Sequence, residues 1–228
     1  MGLGSIVGRR LAPRVQKLVP DVTHNFVREA MDKAITGIGP LRSAVRAAEK
    51  QLADEKGDVA KAVADIVRVH VAYAGAQGFV TNIGGLMTAI AAVPANITGL
   101  TLIQVRMIAE IAHLHGHDLH DVKVRRAVVT ALLGEDGVKK AVKKKQLPGT
   151  PHKLATGPEL APELENMLSL EIATELIARV AGRRLATTIG KRVPVLGGVV
   201  GLTADAYATW QLGRYAAREF AKGTSPKA

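Results

Sequence analysis

GFVTNIGGLMTAIAAVPANITGLTLIQVRMIAEIAHLHGHD, residues 78–118, is the stretch whose reading decides the fold. No Lys, Arg, Asp or Glu occurs between Arg68 and Arg106, and Gly84, Gly85 and Pro94 punctuate that gap. Proline suits the first turn of a helix, where its missing N–H would go unpaired anyway. Pro94 therefore marks a helix start, and that helix runs to about Gly116. Apolar residues cover most of its circumference, which predicts burial. Ahead of it, residues 79–93 read as a short apolar helix in which Gly84 and Gly85 permit a bend or a close backbone contact. A membrane span wants about 20 predominantly apolar residues. Thr81, Asn82 and the two glycines interrupt the first arm, and Asn96, Gln104 and Arg106 interrupt the second. The pair is expected in the core, or as a shallow membrane wedge, rather than as a spanning hairpin.

Outward from this centre the periodicity stays helical. Residues 5–19 can form a basic amphipathic helix, interrupted at Pro13 and closed by Pro20. Asp21 or Thr23 can cap a second helix that carries Phe26, Ala30, Ala34 and Ile35 up to the break at residues 37–40. The sets Leu41, Ala44, Val45, Ala48, Leu52 and Val59, Val63, Ile66, Val67, Val71 each fall on one helix face. Beyond the centre a helix ends near Leu133 and Gly134, and Lys139, Lys140, Lys143, Lys144 and Lys145 follow it. Residues 146–162, with four prolines, are expected as a connector, mobile or laid across the surface. Residues 163–189 read as a helix with acids early and bases late, an order that suits the helix dipole. Residues 193–201 repeat the glycine-rich apolar theme ahead of a last helix over 203–220, and 223–228 read as a disordered tail. IGGLMTAIAAVPAN ahead of Gln104 and Arg106 faintly parallels LGGVVGLTAD ahead of Gln211 and Arg214. No run alternates with period two. The expectation is all-α: one compact multi-helix domain over 1–228, with two glycine-hinged apolar helical segments at its centre.

Composition narrows the partners. The formal charge is +11 and the chain is 47% hydrophobic but only 3% aromatic. Such a balance attracts polyanions, either nucleic acid or an anionic membrane surface. Single-strand readers need aromatic platforms, and Phe26, Phe79, Phe220, Tyr73, Tyr207, Tyr215 and Trp210 look scattered rather than paired. A lipid surface fits the basic, aliphatic character better. Cysteine is absent, which excludes disulfides, thiolate nucleophiles and Cys-ligated metals. MGLGSI departs from a myristoylation signal at Ile6, and residues 3–7 are too short an apolar run for a secretory segment.

Polar residues embedded in apolar faces are the other candidates. Arg106, Glu110, His113 and His117 share one helix face, and Arg106 with Glu110 makes an i,i+4 pair. Glu110 and His113 also form one Glu-x-x-His step, but a carboxylate-bridged di-metal bundle needs two. Glu110, His113 and His117 are thus weak metal candidates, and a polar stripe ending in a histidine-rich loop is the favoured reading. Asn96 and Asp205 sit among apolar neighbours, where a polar group must be paired. They are expected as structural clamps, to an Arg or to a helix N-terminus, and Arg106 with Glu110 as structural polar residues. A hydrolase built on Asp205, Arg106 and His113 is the competing reading. Phosphate-loop and nucleophile-elbow patterns are absent.

Residues 78–119, with their glycine-rich turn, Pro94-Ala95-Asn96 helix start and Gln104-Val105-Arg106-Met107-Ile108-Ala109 core, resemble the signature region of the bacterial EcsC family. That region ends in Tyr-Gly-x-Asp where this chain has His115-Gly116-His117-Asp118. The closing segment RVPVLGGVVGLTADAYATWQLGRYAAREF, residues 192–220, also resembles the family's. The family is named from an operon that includes an ABC transporter, and the resemblance implies no reaction and no cofactor. It marks Asn96, Arg106 and Asp205 as pattern positions. The function expected from the whole chain is a non-enzymatic, cytoplasmic, peripherally membrane-associated protein that binds anionic lipid or a membrane protein. Arg9, Arg10 and the lysines 139, 140, 143, 144 and 145 would meet headgroups, and the Gly84 region would supply a wedge or an acyl-chain cavity. Nucleic-acid binding through charge alone is the weaker alternative.

Overall fold

The computed structural model describes residues 31–37, 42–83, 93–160 and 194–222. Helix α1 is Ala44–Asp54, α2 Val59–Ile83, α3 Val93–Leu114, α4 Val122–Ala131, α5 Gly134–Lys143, α6 Pro151–Thr156 and α7 Pro194–Phe220. Residues 31–36 are helical as well, and no strand occurs among the described residues. The chain is all-α. Expectations about residues 1–20, Gly84 and Gly85, residues 163–189 and the tail 223–228 fall outside the described residues.

Local chemistry sets the helix ends. The Ser43 hydroxyl accepts from the Arg46 N–H at 3.3 Å, and the Asp121 carboxylate accepts from the Lys123 N–H at 2.7 Å. Both are side-chain caps on otherwise orphaned donors. At the other end of α3, Gly116 adopts φ 84°, a left-handed turn that costs glycine nothing. There the Gly116 and His117 N–H groups donate back to His113 and Ala112. Helix α6 has no side-chain cap of its own. Glu219 reaches across from α7 instead and accepts from the His152 N–H at 3.2 Å.

Helix α3 is the centre of the bundle and packs against α1, α2, α4 and α7. Every residue from 105 to 114 is buried, as the apolar circumference predicts. Small residues let its neighbours come close: Ala44, Ala48, Ala62, Ala109, Ala112, Ala127 and Ala216 are all fully covered. At Gly213 the approach is tighter still. A Cβ there would lie 2.7 Å from a Val67 methyl and 3.2 Å from the Met107 sulfur.

These contacts fix the direction of the three long helices. Gln104 donates to Thr209, Met107 meets Gly213, and His117 reaches the Phe220 carbonyl, so α3 and α7 run parallel. His70 of α2 lies beside Glu110 of α3. Were α2 parallel to them, Ile83 and Val93 would be about 45 Å apart at 1.5 Å per residue, beyond the ~36 Å that their ten connecting steps can reach. Helix α2 therefore runs against α3 and α7. The C-terminal end of α2 and the N-terminal ends of α3 and α7 point the same way.

Three expectations are corrected. Residues 77–83 continue α2 without a break, because nothing before Ile83 stops the helix; they do not begin a separate one. Gly197, Gly198 and Gly201 lie inside α7, so that segment is continuous helix and not a hinge. Residues 146–160 are not a loose connector. Pro151 opens a helix there, and Leu147, Leu154 and Ala155 are buried, because these apolar residues have α4, α5 and α7 to pack on.

Candidate functional site

Arg106, Glu110 and His113 of α3 are buried in the core. Arg106, 8% exposed, places Nε 2.9 Å from Glu110 Oε1 and donates from a terminal nitrogen to the Arg42 carbonyl at 2.5 Å. The approach to Oε1 is close but off the hydrogen-bond direction, so that oxygen is ion-paired without an aligned donor. Glu110 Oε2 faces His70 Nε2 at 3.9 Å, too long for a hydrogen bond. His70 Nδ1 donates to the Ile66 carbonyl at 2.8 Å, which leaves Nε2 as the free lone pair. Burial pushes the Glu110 carboxyl up to about 7 against the pull of Arg106. Burial, aided by the Arg106 charge, pushes His70 down to about 4, although its bond to Ile66 opposes the shift. The i,i+4 pair of Arg106 and Glu110 is there. His70 was missed because a lone histidine on an apolar face carries no pattern of its own.

The remaining candidates diverge from this cluster. His113 turns to Glu49 on α1 at 3.4 Å, and His117, beyond the end of α3, donates to the Phe220 carbonyl at 3.0 Å. Among the described residues no group of His, Asp and Glu is arranged to hold a metal ion. Glu110, His113 and His117 do not converge, because the helix ends at Leu114 and the chain turns away at Gly116. Asp205, half-buried on α7, does not join Arg106 and His113 either. With Gln104 level with Thr209, Asp205 and His113 are separated by about 20 Å along the helix axes. Asn96 lies in the first turn of α3.

The surface is more distinctive. Tyr207 and Trp210 are exposed on α7 and stack at 5.9 Å with their planes 24° apart. Three-residue spacing puts both on one helix face. Tyr73, also exposed, is six residues past Val67, and Tyr207 is six before Gly213. Because α2 and α7 are antiparallel, the two tyrosines lie at one level. Three of the seven aromatic residues thus share one level, which linear order conceals and the helix pairing brings about. Arg214 stands one turn back from this level, its guanidinium 5.0 Å from the Trp210 ring centre. Arg106 and Arg214, matched in the suggested internal parallel, have opposite surroundings.

An open groove of about 470 Å³ runs from Gln104 and Trp210 past Arg214 to Glu135, Asp136 and Arg218. Glu135 is tied to both Lys139 and Arg218. Past the end of α4, Lys139, Lys140 and Lys143 lie on a further helix, α5, and with Lys144 and Lys145 they are exposed. Leu133, Val138 and Ala141 pack with Tyr215, so this basic helix lies beside the C-terminal half of α7. Arg9 and Arg10 fall outside the described residues.

Past the aromatic level the three long helices change character. Residues 74–83 of α2, 93–103 of α3 and 194–204 of α7 contain no Asp, Glu, Lys or Arg. No helix among the described residues is long and apolar enough to cross a membrane. No curated protein and no solved structure matches the chain. The model of the EcsC protein family matches residues 5–222; the chain belongs to that family.

Proposed function

We propose that this EcsC-family chain is a non-enzymatic, peripheral membrane protein that seats the uncharged ends of α2, α3 and α7 in one leaflet of an anionic bilayer, from the cytoplasmic side. One observation carries the reading: three helix ends that point the same way are free of charge over nearly equal lengths, next to a level of exposed Tyr73, Tyr207 and Trp210, with only half-buried Asp205 at the border. Ten or eleven residues rise about 15 Å, roughly half the hydrocarbon thickness of a bilayer. Tyr and Trp favour that boundary because each has an apolar body and a polar tip. Arg214, one turn behind them, is at the height of lipid phosphates.

The charge of +11 supplies attraction, and insertion supplies what salt cannot screen. The lysines of α5 lie beside the other half of α7, so they act by long-range attraction rather than by headgroup contact. The competing hydrolase has no assembled site among Asp205, Arg106 and His113.

Trp210 is the only tryptophan, so its fluorescence reports on this boundary alone. With anionic vesicles its emission is expected to shift to the blue and to be quenched by nitroxide placed near the lipid carbonyls. Co-sedimentation should weaken at high salt but persist. An unshifted Trp210 and no sedimentation on any vesicle would sink the reading. Salt-sensitive retention on DNA without vesicle binding would turn it toward nucleic acid.

A further inference from the structure

The groove beside Trp210 holds one unmatched charge of each sign. Among the described residues Arg214 has the Trp210 ring as its partner and no carboxylate. Asp136, exposed in the first turn of α5, likewise has no ion pair among them. Between the two, the Glu135–Arg218 pair is already satisfied. The order along α7 is Trp210, then Arg214 about 6 Å further, then Arg218 with the two acids about 6 Å beyond that. A zwitterion that enters along this line meets an arginine first and carboxylates second.

We infer that the groove is a binding site for a phosphoethanolamine group, with its phosphate on Arg214 and its primary ammonium on Asp136. The inference rests on the proposed membrane seating, which supplies the direction. With the uncharged helix ends in the leaflet, Trp210 lies at the interface, Arg214 at the phosphate and the acids furthest out. An aminophospholipid presents its groups in the same order, phosphate nearer the hydrocarbon and ammonium two carbons outward. Guanidinium and carboxylate each make charge-assisted hydrogen bonds to these groups. A quaternary ammonium has no N–H to donate, so the site favours ethanolamine over choline. A glycerol headgroup leaves Asp136 unmatched.

The test compares vesicles of fixed phosphatidylglycerol content whose remainder is phosphatidylethanolamine or phosphatidylcholine. Co-sedimentation gives the partition coefficient for each. The wild-type chain is expected to bind the ethanolamine vesicles about threefold more tightly, the scale of one exposed ion pair. Ethanolamine lipids also loosen headgroup packing, which helps any insertion, so the discriminating variant is Asp136→Asn. It should lose the preference while keeping its affinity for the choline vesicles, and soluble glycerophosphoethanolamine, but not inorganic phosphate, should compete only with the wild type. Equal partitioning by the wild type would overturn the site and leave the membrane seating intact. A preference that survives in Asp136→Asn would also overturn it, because lipid packing then explains the difference. Absence of binding to every vesicle would remove the seating and the site together.

Discussion

The long helices have two halves that treat charge in opposite ways. In the half around Arg106 the helices carry charges, and the buried ones are paired: Arg106 with Glu110, and Glu219 with Lys222 and the start of α6. In residues 74–83, 93–103 and 194–204 the same helices carry none, and half-buried Asp205 marks the border on α7. Protein partners can compensate a buried charge, whereas lipid tails cannot, so a segment meant for lipid must omit charge altogether. The contrast separates what holds the bundle together from what it offers to a surface.

The largest effect should come from breaking the paired half. Arg106→Ala leaves Glu110 buried without its cation and is expected to cost about 3–5 kcal/mol in urea unfolding. Arg214→Ala, outside the core, should cost under ~0.5 kcal/mol. Equal losses would erase the distinction between the halves. Gly213→Val drives a branched side chain into Val67 and should cost about 2 kcal/mol, read as a lowered denaturant midpoint.

The buried titratable pair gives a pH signature. Glu110 is raised from 4.5 to about 7, so its contribution to stability is full below 4.5 and is lost as pH rises to 7. His70 is depressed from 6.5 to about 4, so its contribution is present above 6.5 and is lost as pH falls to 4. The two slopes oppose each other between 4.5 and 6.5 and flatten the profile. In His70→Asn only the Glu110 slope remains. The stability of wild type minus variant should then climb with pH from 4 to 6.5, by ~3 kcal/mol, and level off. A constant difference across that range would contradict the arrangement.

The uncharged half calls for the opposite readout, lost binding without lost stability. Ala204, exposed at the end of the charge-free part of α7, is the place to add a charge. Ala204→Asp should leave the denaturant midpoint nearly unchanged and weaken vesicle partitioning about tenfold. The smallest effect belongs to α5. Replacing Lys140, Lys143 and Lys144 with glutamine should weaken binding by less than threefold at low salt and not at all at high salt, as expected for attraction without contact.

The helical class, the burial of the second half of α3 and the Arg106–Glu110 pair were legible in the chain. Each depends on spacing within one helix, and that spacing is a property of linear order. The breaks were harder to read. Gly197 and Gly198 suggest a hinge, yet α7 passes straight through them, since glycine disfavours a helix by only about 1 kcal/mol. Prolines suggested a connector at 146–162, where apolar residues fold onto neighbouring helices.

By itself the sequence determined that the chain is helical, strongly basic, free of cysteine, and without charge over a long central stretch. Only the tertiary structure decided that His70 faces Glu110, that Tyr73 is level with Tyr207, and that three uncharged helix ends point one way. The reason is physical. Periodicity specifies which face of a helix is apolar, but helix direction and level depend on which side chains interlock, as Val67 does with Gly213 and Gln104 with Thr209. Those partners are far apart in the chain, and packing alone brings them together.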